Sequence, residues 1–234
     1  MKLIRKLNKE PLSRFEKIQT VCSIVSTFLI GFLTVALSFY ASSIANTQLS
    51  VSKAQMNPQF VIKQKSVYNE QNIVSDRIVE VSCQGGYFTN YKSNVFSVIE
   101  LVCENNERYE IPLIAYWFAH EKTGNTVDLI EKMSYQNNVT KYFDLEHLIL
   151  ESYDNISYME LKHYMTISYY DFLQNEQKNY YEIIPIGGTT LIEESIYTNK
   201  KAHFDEMMDK GYYFDIDKCN SDDILFLESC FSLT

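Results

Sequence analysis

The 234-residue sequence is poor in the residues that interrupt regular structure, with seven glycines and four prolines. That scarcity excludes collagen-like and low-complexity chains. No two of the five cysteines form a CxxC pair, so the sequence lacks a zinc-ribbon or thioredoxin-type signature. The four histidines (His120, His147, His163, His203) are scattered, with no HExxH or HxH pattern. There is no GxSxG elbow, and no serine has a legible base partner. Gly85-Gly86 and Gly187-Gly188 lie outside any phosphate-loop or dinucleotide pattern and read as turns. The residues mark no catalytic group, no metal ligand set and no cofactor, so the expectation is a protein that is not an enzyme.

The longest absence is one of charge. Between Lys17 and Lys53 there is no acidic, basic or histidine side chain. Its most apolar part, residues 18–40, makes about 34 Å of helix, enough to cross a bilayer core. Phe15 at one end, with Phe39 and Tyr40 at the other, suit the two interfaces. The run is too long for the apolar region of a cleaved signal, and no sharp cleavage site follows Ala45. Residues 41–57 turn polar but stay compatible with a helical stalk, which Asn57-Pro58 stops. The chain therefore reads as a basic segment (1–17), a transmembrane helix (18–40), a stalk (41–57) and a globular domain (58–234).

Within the span, Thr20, Ser23, Thr27, Gly31, Thr34, Ser38 and Ser42 recur every three or four residues. At about 100° per residue they share one face. Val25, Leu29, Phe32, Leu33, Ala36 and Tyr40 take the opposite face. A continuous small face lets another helix approach closely. The span is thus expected to meet copies of itself or a partner, either by dry packing or around a water-filled pore lined by the hydroxyls.

Charge also divides the chain. Residues 1–17 carry six basic groups against two acidic ones, whereas residues 54–234 carry 14 basic against 28 acidic. An acidic domain disfavours double-stranded DNA as a partner. The positive-inside rule places the N-terminus in the cytoplasm and exports the domain. Cys83, Cys103, Cys219 and Cys230 fit either reduced core thiols or two disulfides.

From Pro58 onward, short runs of period two or of solid apolar character are separated by Asn, Asp, Gly and Glu. Strands are expected at 60–65, 78–83, 96–103, 109–114, 159–169 and 180–186. Two hairpins stand out, one turning at 104–107 and one at 174–178. Short helices are expected at 127–134, 143–151 and 201–210. The pattern points to a mainly β domain, a β-sandwich of immunoglobulin-like character with a few short helices. Asp215, Asp217, Asp222 and Asp223 read as a solvated acidic turn, without the glycine and closing glutamate of an EF-hand loop. Lys200, Lys201 and His203 form one local basic patch, a candidate for an anionic ligand or simply a helix surface.

The stretch His163-Tyr164-Met165-Thr166-Ile167-Ser168-Tyr169-Tyr170-Asp171-Phe172, followed by Asn179-Tyr180-Tyr181, resembles a hairpin found in small bacterial proteins where one helix precedes a β-sandwich. The junction from Ala54 to Phe60 is similar to the helix exit in the same group. That group includes membrane effectors of anti-phage defence, among them the ion-channel effector of the Hailong type. The resemblance covers about 30 residues and the layout. It implies a homo-oligomeric membrane effector whose β domain senses a signal ligand or partner protein and gates a pore between helices. Such an effector, triggered from the cytosol, needs the domain in the cytoplasm, against the charge rule. The alternative is an exported, membrane-anchored binding domain without channel activity.

Overall fold

The computed structural model describes residues 13–117, 119–122, 129–185, 187–218 and 220–231. Most of the basic segment (Lys2, Arg5, Lys6 and Lys9) and Cys219 lie outside the described residues. The chain divides into two compact units, Met1–Ala54 and Gln55–Thr234.

The first unit is dominated by helix α1 (Arg14–Met56), 43 residues and about 65 Å long. It begins with a capping box: Glu16 N–H donates to Ser13 Oγ at 3.3 Å, and Ser13 N–H donates to Glu16 Oε2 at 2.8 Å. The stretch Arg14–Ser52 is long and apolar enough to cross a membrane. The helix runs through Tyr40 without a break, so span and stalk are one element. It stops before Asn57-Pro58, where proline disfavours helical geometry in the preceding residue.

The second unit is mostly β. Strands β1 (Gln59–Tyr68), β2 (Val74–Gln84), β5 (Ala119–Lys122) and β6 (Glu131–Ser134) form a four-stranded sheet in the order β1-β2-β6-β5. A six-stranded sheet has the order β10-β4-β3-β7-β8-β9. Its members are β3 (Thr89–Cys103), β4 (Arg108–Ile114), β7 (Ile156–Tyr170), β8 (Glu176–Ile184), β9 (Gly188–Ile192) and β10 (Phe214–Asp215). All of these pairings are antiparallel except the short one between β10 and β4.

Alternation explains how the layers meet. Along β2, Val79, Val81 and Cys83 point inward and join Met165, Ile167, Tyr181 and Ile183 of the larger sheet in one apolar cluster. A second cluster packs Leu145 and Ile149 of helix α2 (Asn138–Ser152) against Ile99, Leu101 and Leu161. The C-terminal residues Phe214, Ile224 and Leu227 complete that cluster. On the other face of the larger sheet lies helix α3 (Glu194–Asp209), whose Phe204 ring sits 4.9 Å from that of Phe96. A short helix α4 (Phe226–Phe231) follows.

Three expectations need correction. Residues 131–134 form a strand, not a helix, because Glu131 and Met133 alternate inward and pair with β2 and β5. Residues 127–128 of that expected helix lie outside the described residues. Secondly, the β7–β8 turn falls at 171–175, earlier than 174–178. The Asp171 carboxylate organises it by accepting the N–H groups of Leu173 and Asn175, each at 2.9 Å. Finally, α2 starts at Asn138 and α3 at Glu194, both well ahead of the expected boundaries. Among the turn glycines, Gly86 is needed sterically: a Cβ there would lie 2.3 Å from Pro58 N.

Candidate functional site

All seven small residues of the stripe lie on α1 and are exposed in the single chain. The hydroxyls of Thr20, Thr27, Thr34 and Ser38 donate to the carbonyls of Glu16, Ser23, Ile30 and Thr34, each at 2.8 Å. Their protons are therefore satisfied within the helix, and each oxygen keeps acceptor capacity outward. A Cβ on Gly31 would meet nothing within 4 Å, so its own helix does not require a glycine there. The face is smooth, narrow in profile and inexpensive to bury against another helix.

In the β domain, α3 lays Lys200, His203 and Met207 along one face, which its C-cap residue Lys210 continues, at spacings of three and four. That face forms one wall of a cavity of about 600 Å³, closed elsewhere by Arg108, Tyr109, Glu110, Ile111, Tyr212 and Cys230. Lys200 and His203 are thus brought together, whereas Lys201 turns to Asp205 on its own helix. Lys200 pairs with Glu110, and His203 Nε2 lies 3.0 Å from the Glu110 carbonyl oxygen.

The same wall follows an edge of β4 that, among the described residues, no strand pairs with beyond Leu113 and Ile114. Cys103 N–H donates to Glu107 O, which sets the phase of the β3–β4 ladder and leaves the backbone groups of Arg108 and Glu110 facing outward. Strand β10 covers only Leu113 and Ile114. Beneath Arg108, the Glu100 carboxylate is 5% exposed, with Arg108 Nη1 at 2.9 Å and Lys162 on its other oxygen. Burial acts to raise the Glu100 pKa, but hydrogen bonds from Lys162 and Arg108 outweigh it and hold the carboxyl below its ordinary value. The charges of the rim are paired in place: Lys200 with Glu110, Arg108 with Glu100 and Lys210 with Glu206.

Two further polar groups sit in the interior. His163 is fully buried, with Ser97 Oγ at 2.8 Å and Trp117 Nε1 at 3.2 Å from Nδ1. Because an indole N–H only donates, Nδ1 accepts and the proton belongs on Nε2. Among the described residues that Nε2 has no hydrogen-bond partner. Burial, and secondarily the Arg77 charge, lower its pKa to about 3. Glu131, also fully buried, receives Tyr91 OH at 2.7 Å and faces His120 Nδ1 at 3.1 Å and Lys122 Nζ at 3.3 Å.

The acidic turn is spent locally. Asp217 takes Lys141 at 2.7 Å and Tyr135 OH at 2.6 Å, while Asp223 closes a capping box with Asn220. Among the described residues no three His, Cys, Asp or Glu side chains gather as metal ligands. Sequence reasoning missed Arg77, although a signal was present: it stands in phase with the inward residues Val79, Val81 and Cys83. Comparison with protein-family models, with curated proteins and with solved structures finds no match.

Proposed function

We propose that this chain is a single-pass membrane effector of the anti-phage defence type. Its helices associate through the Thr20–Ser42 face, and its β-sandwich-like domain converts a signal or partner into movement of those helices that opens a pore. The observation that carries this reading is the continuous small, hydroxyl-bearing face within 35 uncharged residues, on a helix that runs unbroken to Met56. In this reading, movement of the domain reaches the bilayer through that helix. The cavity beside Lys200 and His203 is one place on the β domain that a ligand could enter.

A second reading, an exported binding domain on a dimerising anchor, is favoured by the inward-bonded hydroxyls, which suit dry packing, and by Arg14 and Lys17 at the N-terminal flank. Purified protein in ion-loaded liposomes separates the two. The effector reading expects crosslinked oligomers, ion flux once the trigger is supplied, and a domain reached by protease only from the cytoplasmic face in cells. Oligomers without flux, with the domain digested from outside, would establish the second reading instead.

A further inference from the structure

Arg77 is 9% exposed on the inward face of β2, and among the described residues its guanidinium has no hydrogen-bond or ion-pair partner. Its backbone is fixed by Asn138, which leaves the side chain to line a separate cavity of about 220 Å³ between β2, α2 and β7. A guanidinium cannot shed its proton, so it cannot escape an unpaired charge by neutralising. Glu146 of α2 lines the same cavity, also without a partner among the described residues. Burial pushes its carboxyl up. Glu160, the other acidic residue on the wall, turns away to Lys162 at 3.2 Å. The remaining walls are apolar, with Tyr142, Phe143 and Met159 among them.

We propose that this cavity binds a small zwitterion, an α-amino acid with an apolar side chain. Its carboxylate meets Arg77, its ammonium meets Glu146, and its side chain lies against Tyr142, Phe143 and Met159. A simple anion would satisfy Arg77 but add repulsion at Glu146, and a simple cation would do the reverse. The volume lies below the range of drug-sized sites and suits a small metabolite. The assignment stands apart from the reading of α1, because it concerns binding to the β domain whether or not the helices conduct.

The test is calorimetry on the full chain in nanodiscs, with L-leucine, L-methionine and L-phenylalanine as probes. The half-molecules 4-methylpentanoate, isoamylamine, 3-phenylpropionate and phenethylamine serve as comparators. At least one amino acid should bind, with each of its half-molecules at least about tenfold weaker. Arg77→Met and Glu146→Gln should each weaken binding at least about tenfold while leaving the unfolding midpoint unchanged or higher, since each removes an unpaired charge. No heat with any of the three amino acids overturns the site. A half-molecule that binds as tightly as the zwitterion overturns the zwitterion assignment. Should Arg77→Met fail to fold, Glu146→Gln decides alone, and unchanged affinity in that variant overturns the proposal.

Discussion

Asn138 grips Arg77 from both sides of its peptide backbone: its Nδ2 donates to Arg77 O at 3.0 Å, and its Oδ1 accepts Arg77 N–H at 2.8 Å. The amide is fully buried, so one side chain joins the first residue of α2 to the smaller sheet. No other residue type offers a donor and an acceptor at that reach except glutamine, which is one methylene too long.

Asn138→Ala should therefore cost about 2–4 kcal/mol, because it orphans a buried N–H and a buried C=O together. Asn138→Asp should be at least as harmful, since a carboxylate oxygen would face the Arg77 carbonyl. Denaturant unfolding of the domain, followed through its single tryptophan, measures both.

His163 predicts a pH dependence. Its folded pKa of about 3 lies below the ordinary 6.5, so across that interval the unfolded chain binds a proton that the folded domain refuses. Stability contributed by the neutral ring is complete above pH 6.5 and is lost as the pH falls towards 3, by at most about 1.4 kcal/mol per unit. Unfolding midpoints of the parent and His163→Gln, measured across that range, should converge as the solution is acidified. Parallel curves would contradict the buried neutral imidazole.

The fold was legible in the sequence where one signal dominated locally. The charge-free run and Asn57-Pro58 define α1 without help from elsewhere, and the β3–β4 hairpin shows in two largely apolar runs joined by the polar turn around Asn105-Asn106. Glu131-Lys132-Met133 misled because these residues favour helices, yet pairing on both sides, to Val79 and to His120, makes them a strand. The start of α2 was hidden because Val139 and Thr140 are β-branched, although Val139 and Tyr142 extend the buried face of Leu145 and Ile149. Lys200 and His203 reached a cavity wall through helical period, which also turned Lys201 aside. Arg77 and Glu146 come to line one cavity only through packing of a sheet on a helix, which no local pattern encodes.

The helix stripe predicts an asymmetry. Thr27→Leu and Thr34→Leu should disrupt crosslinked oligomers, because both enlarge the small face, while Leu29→Phe and Leu33→Phe on the opposite face should be nearly silent. Thr27→Ala and Thr34→Ala keep the face small but remove the oxygens that accept outward. Oligomer size should survive them, and ion flux should fall if the face is wetted.

Cys83, Cys103 and Cys230 are buried and unpaired, and burial raises each thiol pKa. All three should resist alkylation in the folded protein and react promptly in denaturant, with no change on adding reductant. Mass spectrometry of protein from native membranes reads this directly. A stable disulfide at any of them would contradict the reduced arrangement and favour an exported domain.

The pairing of β3 with β7 sets a tempo for biogenesis. Ser97 and His163 face each other across the middle of the larger sheet, yet 66 residues separate them in the chain. At about 5–20 residues per second, the ribosome delivers β7 roughly 3–13 s after β3. Until then the apolar half of β3 (Phe96 to Cys103) is without its central partner. Newly made chains therefore meet a kinetic choice between completing the sheet and associating through an open strand.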